Sequence, residues 1–210
     1  MSKEQRIVLS TSYFAPVQYF TKFLIPGQVL IEKHENFTKQ TFRNRCTISG
    51  ANGPISLTIP VKRGSFHKVN ISELAIEHLY PWQDNHWRSI ESAYRSAPFF
   101  QFYEEEIRSV LEKKYDLLID FNHEILTVLL TLFRIDQQVE YTDEFEKDGY
   151  NLDYRETIQP KKKIPDPLFD PVVYPQVFQS KFGFQPNLSA LDLLFNTGPD
   201  ALGILHESIP

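Results

Sequence analysis

The chain has 210 residues, 41% of them hydrophobic and 14% aromatic, and its 22 Lys+Arg against 27 Asp+Glu give a net charge of −5. That apolar content supports a sizeable core and excludes wholesale disorder. The single cysteine, Cys46, excludes an intramolecular disulfide framework and any Cys-rich zinc site. The net charge conceals a split: residues 1–72 hold ten basic and three acidic side chains (+7), and the rest hold twelve basic and 24 acidic ones (−12). A basic third joined to an acidic remainder points to an anion-binding region.

In chain order, Arg6–Ser10 is a short apolar run that reads as a buried strand. Tyr13–Leu24 has Val17, Phe20, Phe23 and Leu24 at helical spacing, with Pro16 tolerated in a first turn. Pro26-Gly27 is a turn signal, and Gln28–Glu32 reads as a second strand, which makes a βαβ start. Arg45–Ser49 and Ile55–Pro60 are strand-like around Gly50-Ala51-Asn52-Gly53-Pro54, a hairpin signal. Val69–Ile76 suggests one more strand.

The texture then changes. Trp82–Tyr94, capped by Asp84 or Asn85, Phe99–Tyr115 and Asp116–Phe133 each carry an apolar face at helical spacing. Val139–Thr142 suggests a return to the sheet. Residues 160–186 hold six of the 14 prolines, the run Lys161-Lys162-Lys163 and interleaved aromatics that need a surface to pack on. Asn187–Asn196 reads as a short helix, with a last turn after Pro199.

The expected fold class is therefore α/β or α+β. A small mixed sheet with a βαβ start occupies 1–76, three helices fill 82–134, and a Pro-rich arm covers 145–210, all in one domain. The start shows no secretory leader, and the most apolar window, Ile125–Phe133, is too short to cross a bilayer, so a cytoplasmic protein is expected.

Lys39, Arg43 and Arg45, with Asn44 between the arginines, pack three cations into seven residues; Lys62, Arg63, His67 and Lys68 follow. Arginine forks and lysine point charges suit phosphate or carboxylate, although solvated strand-edge charges give the same pattern. His34 follows the second strand, where ligands of α/β sheets are contacted, and its pKa range suits a general base. Tyr13 follows the first strand and reaches toward the same mouth. His86 opens the helical region beside Trp87, a possible stacking platform; the competing reading puts Trp87 in the core and has His86 capping or packing. No Gly-rich phosphate loop and no metal-ligand spacing occurs, and the cofactor is unknown from the sequence. The acidic remainder disfavours nucleic acid.

Several stretches, taken in order, resemble the WbqC-like protein family of bacteria. They are Tyr13-Phe14-Ala15-Pro16-Val17-Gln18-Tyr19-Phe20 with Lys22; Phe37 to Arg45; Leu57 to Lys62; Trp82, His86-Trp87-Arg88-Ser89-Ile90, Ala93-Tyr94 and Pro98-Phe99-Phe100; and Asp120-Phe121-Asn122. The resemblance implies an association with O-antigen and other surface-polysaccharide synthesis, and transfer of a glycyl or acyl group to an amino sugar. Many members carry His-Gln-Pro after the first strand; Ser10-Thr11-Ser12 stands in that stretch here, which marks a divergent, Bacteroidetes-type member. The leading expectation is a transferase holding a sugar nucleotide, an aminoacyl donor or another anionic small molecule. Lys39, Arg43, Asn44, Arg45, Lys62 and Trp87 would bind it, and His34, His86 and Tyr13 are the catalytic candidates. The alternative is a non-catalytic binding or scaffold protein of a glycan pathway.

Overall fold

The computed structural model describes residues 5–62, 68–161 and 164–210. Arg63 and His67 of the basic loop, and Lys162 and Lys163 of the lysine run, lie outside the described residues.

The βαβ start forms. Strand β1 (Arg6–Ser10) pairs in parallel with β2 (Gln28–Glu32), Ile7 facing Val29 and Ser10 facing Glu32. Ile7, Leu9, Val29 and Ile31 enter the main core, and Val8 and Leu30 are buried as well. A parallel strand covered on both faces is expected to be this uniformly apolar, each such side chain contributing about 2 kcal/mol. Gly27, at φ 141°, makes the turn into β2; a Cβ there would meet the Gln5 carbonyl at 2.4 Å.

The connecting helix is shorter than the spacing predicts. Helix α1 is only Val17–Thr21, prolonged by a 3₁₀ turn over Lys22–Leu24. Pro16 caps it in extended backbone, and Phe14 sits at φ 38°, so Tyr13–Ala15 form a turn instead.

Two further strands extend the sheet from distant sequence. Strand β5 (Glu140–Tyr141) adds in parallel to β2, as Val139–Thr142 suggests, and β6 (Leu152–Asp153) adds in parallel to β1. The order is β5-β2-β1-β6. The hairpin β3 (Arg45–Gly50) and β4 (Gly53–Thr58) forms a separate antiparallel pair. The strand expected over Val69–Ile76 is absent. Ile71–Glu73 is a 3₁₀ turn, because the Asn70 side chain accepts from Ser72 N and competes with a ladder. Single bridges flank it, Asn36–Asn70, Val61–Ile76 and Ala75–Leu117.

Helices α2 (Trp82–Tyr94), α3 (Phe100–Glu112) and α4 (Leu118–Leu132) follow, close to their expected bounds. The cap of α2 is Pro81, without a side-chain bond, rather than Asp84 or Asn85. The arm contributes α5 (Gln179–Phe182), α6 (Ala190–Thr197) and α7 (Ala201–Glu207). Backbone bonds Val17 N to Leu188 O, Ala190 N to Ala15 O and Ser189 N to Thr47 O lock the start of α6 onto α1 and β3. One hydrophobic cluster runs from Ile7 to Leu205.

The arm also ties the two halves of the charge split together. Arg6 pairs with Glu146 and Lys22 with Asp166, cations of the basic third against carboxylates of the remainder, while Arg155 of the remainder pairs with Glu32 of the basic third.

Candidate functional site

The chain moves outward from β1 through β2 to β5, then returns to the other flank of β1 for β6. Such a reversal leaves a crevice at the carboxyl ends of the strands, the favoured ligand position in parallel sheets. Here it is bounded by Ser10-Thr11-Ser12 after β1 and by Tyr154 and Ile158 after β6. A cavity of about 10 Å³, room for one water, lies there against Arg43, Phe42 and Tyr19.

Arg43 is the fixed charge of this crevice. It sits on a 3₁₀ turn just before β3 and is nearly fully buried. Its Nε donates to Glu35 Oε1 at 2.8 Å, and its Nη2 donates to Glu35 Oε2 at 2.5 Å and Ser10 Oγ at 2.8 Å. Its Nη1 has no hydrogen-bond partner among the described residues. Ser12 Oγ donates to Phe42 O, and Tyr13 N bonds the same carbonyl. Asn122 of α4 donates through Nδ2 to Thr11 Oγ1 (3.1 Å) and Arg43 O (2.8 Å), while its buried Oδ1 has no partner among the described residues. Phe14, next in line, is a fully buried aromatic at positive φ, strained backbone held in place by its surroundings.

The carboxyl end of β2 is equally ordered. Glu32 is completely buried, and its carboxylate accepts from His34 N (2.7 Å), Thr142 Oγ1 (2.9 Å) and Arg155 Nη1 (3.0 Å). His34 Nε2 lies 3.2 Å from Thr142 O. A carbonyl only accepts, so this contact puts the proton on Nε2 and leaves Nδ1 as the basic nitrogen.

Tyr13 and His86 lie elsewhere. Tyr13 Oη and His86 Nδ1 are 2.8 Å apart in the core, with the rings of Trp82 and Phe121 around them. Burial pushes His86 down to about 4, against the opposing pull of the Thr58 carbonyl, and pushes the Tyr13 hydroxyl well up. The pair is neutral, with the tyrosine donating to the imidazole. Trp87 stacks on Phe100, with the Arg108 guanidinium over it. Asn44 spends its amide on Ile59 O. Arg45, half-buried on the hairpin, has an Nε without a partner among the described residues, and Lys39 and Lys62 are exposed. The nine sequence candidates thus fall in three places: His34 and Arg43 at the sheet edge; Lys39, Asn44, Arg45 and Lys62 along the hairpin and its flanks; Tyr13, His86 and Trp87 against α2. Among the described residues, no hydrogen bond joins His86 to His34, Arg45 or Lys62.

Ser10, Asn122, Thr142 and Arg155 join the sheet-edge network without having been singled out. Ser10 was discoverable as the last residue of a strand, and Asn122 from its place in Asp120-Phe121-Asn122. Thr142 is legible as the end of the expected Val139–Thr142 strand, whereas Arg155 carries no sequence signal, because it arrives through a strand of two residues.

A mixed α/β protein with a buried, charged network at the carboxyl edge of a parallel sheet is the class this geometry defines. The chain belongs to the WbqC-like protein family, which it matches over residues 11–165. It is also similar to an uncharacterised protein of Mycobacterium tuberculosis, Rv1507c, at 26% identity over 92% of this chain and 94% of that one. No solved structure matches the chain. No helix among the described residues is long and apolar enough to cross a membrane.

Proposed function

We propose that the chain binds a phosphorylated or otherwise anionic small molecule at the β1–β6 crevice and acts as an acyl- or glycyl-type transferase on an amino sugar or sugar nucleotide, in cytoplasmic surface-glycan synthesis. The observation that carries this reading is the Arg43 guanidinium, held by Glu35 and Ser10 on the wall of the crevice, with Nη1 making no hydrogen bond among the described residues. A guanidinium fixed in this way is pre-organised for an oxyanion. His34, with its Nδ1 lone pair at the neighbouring strand end, is the base for an incoming amine. Arg45 and Lys62 extend the basic surface beyond the crevice.

Calorimetric titration with a panel of nucleotide sugars and aminoacyl donors tests the proposal. One member should bind, and Arg43→Lys, which keeps the charge and loses the fork, should weaken it at least tenfold. No binding by any member, or equal binding by the variant, contradicts it.

A non-catalytic binding or scaffold role is the second reading. It is favoured by the size of the cavity, about 10 Å³, room for one water and not for a substrate, and by the withdrawal of His86 into the core. A stoichiometric protein partner recovered with no small molecule, together with a silent titration, would decide for it.

A further inference from the structure

The arm that follows β6 runs back over α1, and one of its carboxylates ends inside the molecule. Lys22, at the end of α1, is completely buried. Its Nζ lies 2.6 Å from Asp166 Oδ2, donates to Leu168 O at 2.9 Å, and stands 4.6 Å from the centre of the Tyr154 ring. Asp166 Oδ2 also accepts from Gln18 Nε2 at 2.8 Å, and Oδ1 accepts from Leu168 N at 3.0 Å. Gln18 is not free to turn. Its Oε1 accepts from Asn187 Nδ2 at 3.0 Å and its backbone N donates to Asn187 Oδ1 at 2.9 Å, so the donor end of the amide is aimed at the carboxylate.

The two halves of this seat are attached very differently. Gln18 lies on α1 and Lys22 on the 3₁₀ turn that prolongs it, and α1 is locked to the sheet and to α6. The occupant belongs to Ile164–Leu168. Pro165 and Pro167 have no N–H, and among the described residues neither Ile164 N nor Asp166 N makes a hydrogen bond. This stretch holds to the body through the carboxylate, one carbonyl and its apolar contacts. A fully buried ion pair is a weak source of net stability, because desolvating both charges offsets most of their attraction. Oriented, satisfied donors around a detachable carboxylate are what a ligand site requires.

We propose that Lys22 and Gln18 form a carboxylate-binding site which Asp166 fills as an internal ligand, and that a small carboxylate displaces Asp166 when this stretch of the arm lifts. The inference goes beyond the Arg43 crevice and does not depend on it. Tyr154 walls both places, so displacement would also open the crevice from its β6 side.

Acetate and inorganic phosphate are the probes. Asp166→Asn keeps the size of the side chain and removes the competing charge. By calorimetry it should bind acetate at least tenfold more tightly than the unaltered protein, and Lys22→Met in the same background should abolish the gain. A folded Asp166→Asn protein that binds acetate no better, a gain that survives Lys22→Met, or a preference for phosphate over acetate would overturn the assignment. Hydrogen exchange gives a test without substitution. In the unaltered protein, acetate at constant ionic strength should saturably accelerate exchange in residues 166–170, whereas chloride should not. Equal exchange in both salts would also overturn it. Neither test uses Arg43, so both readings can fail separately.

Discussion

Buried ionisable groups in this protein are handled in two ways. At the carboxyl edge of the sheet each buried carboxylate meets a cation: Glu35 meets Arg43, and Glu32 meets Arg155. At two other places a buried titratable group meets only neutral donors and tyrosine. His86 faces Tyr13. Asp192 of α6 accepts from Tyr174 Oη at 2.9 Å and Gln176 Nε2 at 2.7 Å, Tyr94 also bears on it, and among the described residues its Oδ1 has no partner within 3.5 Å. Burial accordingly raises Asp192 to about 6 and lowers His86 to about 4. The difference separates buried ion pairs at the sheet edge from buried groups whose charged forms have no counter-charge beside them.

The comparison breaks most visibly at Arg43. Arg43→Ala leaves Glu35 buried and unpaired and should cost about 3–5 kcal/mol in urea unfolding. The double change Arg43→Met with Glu35→Met should restore most of the loss. A single variant as stable as the parent would mean that the pair is solvated and the sheet edge open.

The groups without a counter-charge should show themselves through pH. The folded value of His86 lies below its ordinary 6.5, so its contribution is present above pH 6.5 and is lost as pH falls toward 4. Asp192 lies above its ordinary 3.8, so its contribution is full below that value and is lost as pH rises through about 6. The two slopes oppose each other across one window. Asp192→Asn should expose the His86 slope, a loss on acidification of up to about 3 kcal/mol, and His86→Gln should expose the reverse slope. Unfolding titrations at stepped pH read both; unchanged profiles would show that neither group titrates inside the fold. The smallest effect is expected for Tyr13→Phe, which strips one buried hydrogen bond from His86 and should cost about 1–2 kcal/mol. Its ligand binding should stay at the parental level if the pair serves packing.

Much of the fold was legible in local pattern. The uniform apolar runs at Ile7–Leu9 and Val29–Ile31, the turn at Pro26-Gly27 and the hairpin glycines specify their own elements. What escaped is non-local or competed away. Strand β6 is two residues long and exists only because Tyr154 N and Asn151 N find Val8 O and Arg6 O. Ile71–Glu73 turned on an asparagine side chain. The site was half visible. The position of His34 and the fork of Arg43 follow from strand ends and residue type, but the partner that fixes Arg43 is Glu35, eight residues back. Asn122 and Arg155 reach the same edge from more than a hundred residues beyond β1.

The central claim is that an anion is held at the reversal between β1 and β6. Backbone amide shifts recorded by NMR during titration with inorganic pyrophosphate test it most directly. Saturable changes should concentrate in Ser10–Tyr13, Arg43 and Tyr154–Ile158. Changes confined to Lys39 and Lys62, or to the open groove of about 540 Å³ lined by Tyr115, His123 and Tyr141, would contradict it.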